Sequence, residues 1–182
     1  MNALGAYQTA RWLRDRAFSR VAAGAFARCG AATLLELPVR VTGAEGISLG
    51  RGVHVGRGSW LYTQAPGRLE IGDGCRLSGN CVLSAVRSVT IGSRVLFGTN
   101  VYVADSDHGY EGSEPVMDQP LAKVAPVRIG DGAWLAQNVV VLSGVTIGAG
   151  AVIGAGSVVR SDVPARAVAV GAPARIVRRL PG

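Results

Sequence analysis

Starting at Ile129 and stepping by six, the chain reads Leu135, Val141, Ile147, Ile153 and Val159. All six positions are aliphatic, although Val, Ile, Leu and Phe supply only 50 of the 182 residues. The frame recurs as Ile91, Phe97, Val103, as Ile71, Leu77, Leu83, and as Leu49, Val55, Leu61. Four residues after each frame position of the long run stands a small or β-branched residue: Ala133, Val139, Val145, Ala151 and Ser157. Glycine often follows a frame residue directly, as at Gly72, Gly92, Gly130, Gly148 and Gly154. A period of six is not helical. It suits a short strand plus a turn, with one inward aliphatic residue per strand and Gly or Asn where the backbone needs positive φ. Such a repeat buries its apolar side only by stacking on its neighbours, which defines a solenoid.

Three segments of six make a triangular coil of eighteen residues, the separation of Ile129 and Ile147. Five coils fit between Leu49 and Pro164, giving a prism about 24 Å tall at a strand spacing of ~4.8 Å. The expected organisation is an all-β solenoid over residues 41–164, preceded by a helical segment, 1–40, and followed by a short basic tail, 165–182. The N-terminal segment, rich in Ala, Leu and Arg, reads as a cap on the open end of the prism or as a basic helix that touches membrane lipid. The frame is broken once at length, between Ile91 and Ile129. The inserted loop, 104–126, carries Asp105, Asp107, His108, Tyr110, Glu111 and Glu114. Long irregular loops in a compact domain are commonly functional.

Composition narrows the partners. Charged residues are 17% of the chain, which argues against a disordered tail. The net charge of +7 is concentrated at the ends, where residues 1–35 and 160–182 each hold five Arg and one Asp. Anionic partners are therefore expected there. The strand faces show no basic ladder interleaved with aromatics, so nucleic acid is not expected. The longest purely apolar stretch near the start, Val21 to Ala27, is too short to span a bilayer and lacks the flanks of a signal peptide. The expected location is cytoplasmic, including the inner face of the membrane. Cys29, Cys75 and Cys81 form no CxxC pair, which excludes a disulfide framework or a zinc ribbon.

The stretch from Pro126 to Val177, PVRIGDGAWLAQNVVVLSGVTIGAGAVIGAGSVVRSDVPARAVAVGAPARIV, resembles the hexapeptide-repeat acyltransferases. It is similar to their galactoside, maltose, nodulation-factor and polysaccharide O-acetyltransferase branch. The resemblance covers about residues 45–180 and implies a left-handed parallel β-helix. It also implies a homotrimer with sites between subunits, acetyl-CoA as co-substrate, a carbohydrate acceptor and no metal. By this resemblance His108 falls on the catalytic histidine and Asn80 on the asparagine of the acceptor side. Trp134 falls beside the pantetheine arm and the acceptor, and Gln137 and Ala155 where the backbone meets that arm. Arg160 and Ser161 stand where the branch has Thr-Lys. Arg175 and Arg178 fall on the basic residues near the CoA phosphates. The N-terminal sequence and the Arg87-Ser88 region depart from the free-sugar enzymes, which brings a polysaccharide or lipid-linked precursor into view as acceptor.

The chemistry asks for few groups. A hydroxyl attacking a thioester needs a general base, and histidine is the residue type that serves near neutral pH. Of the two histidines, His54 precedes the inward Val55 on a regular strand and points outward as a surface residue. His108 sits where the repeat breaks, with Asp105 or Asp107 near enough in sequence to orient it. Asn80 reads either as an oxyanion donor or as a turn residue in the left-handed region. Cys75 and Cys81 occupy the small-residue slot, which buries them as small hydrophobes and favours direct transfer over an acyl-enzyme. Arg175 and Arg178 suit phosphate oxygens. Two histidines are too few for a zinc carbonic anhydrase of the same solenoid. A scaffold without catalysis would lack the His108 loop, and an acetyltransferase for a non-sugar acceptor is the remaining alternative.

Overall fold

The computed structural model describes residues 2–181; Met1 and Gly182 lie outside the described residues. The chain is a parallel β-solenoid with one N-terminal helix, the fold class the period predicts. Three sheets form the faces of a prism. Face 1 stacks Arg28–Cys29, Ile47–Leu49, Arg68–Ile71, Ser88–Ile91, Val127–Ile129 and Thr146–Ile147. Face 2 stacks Leu34–Leu35, His54–Val55, Arg76–Leu77, Leu96–Phe97, Trp134–Leu135, Val152–Ile153 and Ala167–Val170. Face 3 stacks Arg40–Thr42, Trp60–Thr63, Val82–Ala85, Tyr102–Ala104, Val140–Val141 and Val158–Val159.

Register explains the period. The frame residues pair in columns, as Leu49 with Ile71, Ile71 with Ile91, Ile91 with Ile129 and Ile129 with Ile147. Each inward side chain therefore sits on its equivalent one coil below, and the columns from the three faces fill the prism as one continuous core. Strands alternate between inward and outward positions, so the residue before each frame residue faces out. This places Trp134, Tyr102 and Trp60 on the outside.

The solenoid is longer than the five coils expected. It begins at Arg28 rather than at 41, and face 2 holds seven parallel strands. Cys29, Leu35 and Val41 continue the six-residue frame below Leu49, Val55 and Leu61. A cysteine at the first of these positions hid the pattern. The helix is accordingly shorter than the 1–40 segment. It runs Ala3–Ala22, with the Asn2 side chain accepting the Gly5 N–H at its start. It packs on the first coil, where Ser19 Oγ accepts the Leu35 N–H at 2.9 Å and Phe18, Ala22 and Phe26 cover the end of the core. The tail forms a strand hairpin: Arg175–Arg179 pairs antiparallel with Ala167–Val170 and extends face 2.

Glycine has two separate tasks at the edge between faces 1 and 2. Gly52, Gly74, Gly132 and Gly150, three residues after a frame residue, take positive φ. The glycines directly after the frame residue do not. Gly130 is there because a Cβ would lie 2.5 Å from Ala149 N on the next coil, backbone against backbone. At this second set the cause is close approach of neighbouring coils, not positive φ.

Candidate functional site

The inserted segment is folded. Ser106–His108 pairs antiparallel with Leu121–Val124, and a bulge falls between Asp107 and His108. This hairpin leaves the top of the Tyr102–Ala104 strand and overhangs face 3. Its base is clamped by Asp105, which is 0% exposed. The Asp105 carboxylate accepts three backbone N–H groups from the preceding turn: Val86 at 2.8 Å, Arg87 at 2.7 Å and Ser88 at 2.6 Å. Asp105 C=O accepts the Ala125 N–H at 2.9 Å, which ties the second strand of the hairpin to the first. On the other side, Ser143 Oγ donates to Asp107 at 2.5 Å, and Lys123 Nζ donates to Ser143 C=O at 2.8 Å. Both acids are thus spent on holding the hairpin, and neither is hydrogen-bonded to the His108 ring.

His108 opens onto a cavity of about 660 Å³ between the hairpin and face 3. The floor is the outward side of three strands, with Trp60 and Tyr62 on one, Val82 and Ser84 on the next and Tyr102 on the third. Met117, Gln119 and Leu121 form the overhang. Trp60 and Tyr62 meet edge to face with centroids 5.5 Å apart. Burial pushes the Tyr102 hydroxyl above the ordinary phenol range, and the Asp107 carboxylate adds to the shift. Among the described residues lining this cavity there is no Asp, Glu, Lys or Arg. Its aromatic lining was missed in the sequence, although Trp60 and Tyr102 each precede an inward frame residue and so had to face out.

The other expected site residues lie elsewhere on the prism. Trp134 is 46% exposed on face 2, stacked between the outward Leu96 and Val152. Gln137 and Ala155 are exposed at the edge between faces 2 and 3, on adjacent coils, where Gln137 C=O accepts the Gly156 N–H at 2.9 Å. Arg175 and Arg178 project from the terminal hairpin at the top of face 2, both exposed. Arg160 and Ser161 are exposed beyond the Val158–Val159 strand, at the opposite edge of face 3. Asn80 lies at the same edge as Gln137 but does not line the His108 cavity. Its φ is +50°, and its amide oxygen packs over Gly58. That φ has the turn geometry of the second reading. Asn100 and Asn138, with φ of +60° and +59°, repeat it on the coils above.

The structure thus separates the groups by face: His108 on face 3, Trp134 and the terminal arginines on face 2. Cys75 and Cys81 are buried in the core, and burial pushes both thiols up. His54 lies on a plain strand of face 2, with Nε2 3.0 Å from Glu36 Oε1. No group of three or more His, Cys, Asp or Glu that could hold a metal occurs among the described residues. No described helix is long and apolar enough to cross a membrane.

Residues 126–161 match the model of the bacterial transferase hexapeptide, six repeats. The chain is similar to "Probable acetyltransferase Rv3034c" of Mycobacterium tuberculosis, 38% identical over 133 residues, 72% of this chain and 44% of that protein. It thus spans less than half the length of that relative. It is also similar to "Putative lipopolysaccharide biosynthesis O-acetyl transferase WbbJ" of Escherichia coli, 30% identical over 153 residues, 80% of this chain and 78% of that one. Among solved structures, the hexapeptide-repeat containing acetyltransferase VCA0836 of Vibrio cholerae, complexed with acetyl coenzyme A, superposes with a TM-score of 0.64 at 26% identity. That match covers 90% of this chain and 76% of VCA0836. With coils, edge glycines and terminal hairpin accounted for, the chain belongs to the hexapeptide-repeat bacterial transferases, the family of WbbJ.

Proposed function

We propose that this chain transfers an acetyl group from acetyl-CoA to a hydroxyl of a sugar or polysaccharide precursor, with His108 as general base. The observation that carries the reading is the placement of His108. Among the described residues lining the face 3 cavity it is the one histidine, the residue type that serves as a general base. The acceptor oxygen attacks the thioester carbonyl carbon while its proton passes to His108. The C–S bond then breaks, and the proton returns to the departing CoA thiolate. No acyl-enzyme is needed, in keeping with the burial of Cys75 and Cys81. The names and ligands of WbbJ and VCA0836 support lipopolysaccharide-type acceptors and acetyl-CoA respectively.

The donor side of the reading uses face 2. Trp134 packs along the pantetheine arm, the Gln137 and Ala155 backbone borders it, and Arg175 and Arg178 hold the phosphates. Arg160 and Ser161 take a lesser part from the far edge. Because His108 and Trp134 face different ways on one chain, the reading requires face 2 of one copy to meet face 3 of another. A closed threefold ring provides that contact three times. The exposed Leu96 and Trp134 on face 2 support it. The outward side of the helix, with Ala6, Ala10, Leu13, Ala17 and Val21 flanked by Arg14, Arg16 and Arg20, supports contact with an anionic membrane surface. Cosedimentation with phosphatidylglycerol vesicles tests that contact, and equal recovery with neutral vesicles would count against it.

The deciding experiment incubates the protein with ¹³C-acetyl-CoA and a panel of glycans. Products are read by mass and by the ester carbonyl resonance, alongside light scattering for mass in solution. Free CoA matched by an O-acetyl ester, from a trimeric species, is the expected result. Acetyl found on nitrogen, or full turnover by a monomer, would reject the reading.

A further inference from the structure

From the lining of the His108 cavity we infer that the acceptor is an uncharged glycan of at least two sugar units, laid along face 3. This rests on the acetyl-transfer reading and names the acceptor class for it. Three of the seven Trp and Tyr residues of the chain, Trp60, Tyr62 and Tyr102, line this one cavity. Trp60 and Tyr102 belong to the same outward column, with Val82 between them in register. Two strand spacings separate them, about 9.6 Å. That is close to the length of a disaccharide, so rings on adjacent sugars meet aromatic side chains at both ends of the step.

The polar lining fits the same ligand. A pyranose ring has apolar C–H faces and a rim of hydroxyls. Its faces pack on aromatic rings, and its rim needs groups that both donate and accept. Gln64 and Ser84 supply such groups at the aromatic floor, whereas the Gln119 amide is turned to the Gly112 and Glu114 backbone of the inserted segment. Tyr62 is held in place, donating its hydroxyl to Gln64 Oε1 at 3.2 Å. The Arg40 guanidinium packs 4.1 Å from the Trp60 ring centroid and ends the platform on the strand below. No Asp, Glu, Lys or Arg lines the cavity itself; Arg40, against Trp60, and Asp107, whose carboxylate acts on Tyr102, stand outside the lining, so a phosphate, carboxylate or ammonium group on the bound sugars would find no countercharge within the cavity. An uncharged glycan has no such need. The reacting hydroxyl lies at the Tyr102 end, under His108, and the next unit reaches toward Trp60.

The test reads binding, so it does not depend on turnover. The full chain is titrated by calorimetry with methyl glycosides of glucose, galactose, mannose and N-acetylglucosamine, and with their di-, tri- and tetrasaccharides. In at least one series affinity is expected to rise tenfold or more from one to two or three units and then level off. Trp60→Ala and Tyr102→Ala should each abolish that rise, whereas Trp60→Phe and Tyr102→Phe, which keep a ring, should retain it. Circular dichroism confirms that the variants are folded. Oligogalacturonides should bind more weakly than the neutral galactose series. The inference is overturned if no series gains with length, if the gain survives Trp60→Ala, or if the anionic oligomers bind equally well. Length-dependent binding without acetyl transfer would reject the enzymatic reading and leave the glycan site standing. Transfer at equal kcat/KM to one unit and to several would do the reverse.

Discussion

Asp105 holds the His108 hairpin to the solenoid, and its removal should be costly in a measurable way. The carboxylate is fully buried and accepts three N–H groups within 2.8 Å. A hydrogen bond to a charged group contributes ~1.5–3 kcal/mol. The three are not additive, because Arg87 is exposed and Val86 and Ser88 are half-buried, so water replaces part of what is lost. Asp105→Ala should therefore destabilise the fold by about 3–5 kcal/mol, more than one such bond and less than the sum of three. Asp105→Asn keeps one carbonyl oxygen toward the turn and should cost about 1–2 kcal/mol. Urea unfolding followed by circular dichroism gives both numbers from the midpoint at fixed slope. In thermal melts the Ala variant should fall by roughly 6–20 °C. Limited proteolysis should then cut first in residues 109–120, once the hairpin is released. A change of less than ~0.5 kcal/mol for Asp105→Ala, the level of an ordinary surface substitution, would refute the claim that this carboxylate closes the turn.

Three further outcomes are expected. Gly130→Ala should destabilise by about 1–3 kcal/mol, as overpacking does, because the new Cβ meets Ala149 backbone and cannot be relieved by a rotamer change; urea unfolding checks it, whereas Gly132→Ala fails through its φ of +64° instead. Thiol titration at pH 8 should be slow for Cys75 and Cys81, since burial raises both pKa values and so lowers the thiolate fraction at that pH; rapid labelling of either in the folded protein would contradict their place in the core. Arg175→Ala and Arg178→Ala should each raise the KM for acetyl-CoA by roughly three- to thirtyfold, less than a buried charge-assisted contact because both side chains are exposed; unchanged CoA titrations in both would assign the tail charge to another purpose.

The solenoid was legible because its physics is one-dimensional. A residue such as Ile129 needs only to match Ile91 and Ile147 in the same column, and that repetition is written directly in the spacing. The first coil was missed where the column holds Cys29, a residue that carries no aliphatic signal. The terminal Arg175–Arg179 strand was missed because all five residues are exposed and the apolar pattern has no inward side there. For the site, the break in the repeat pointed to the His108 hairpin. What the acids do was not legible: Asp105 and Asp107 look like partners for His108 in sequence, yet they point to the Val86–Ser88 turn and to Ser143. Those contacts join residues 17 to 36 positions apart and depend on how the coils stack. Tyr62 and Tyr102 were readable from their outward phase alone, but nothing in a single strand shows that they share a cavity with the hairpin.

In the proposed reaction His108 takes the proton from the acceptor hydroxyl. The most direct test of that step is steady-state kcat for His108→Ala against wild type, on a glycan that the wild type acetylates, with CoA affinity measured in parallel. A general base typically contributes ~10²–10⁴-fold, so kcat should fall by that factor while CoA binds as before, and His54→Ala should stay near wild type. A folded His108→Ala protein that keeps more than about a tenth of wild-type turnover, well outside that range, would contradict the account.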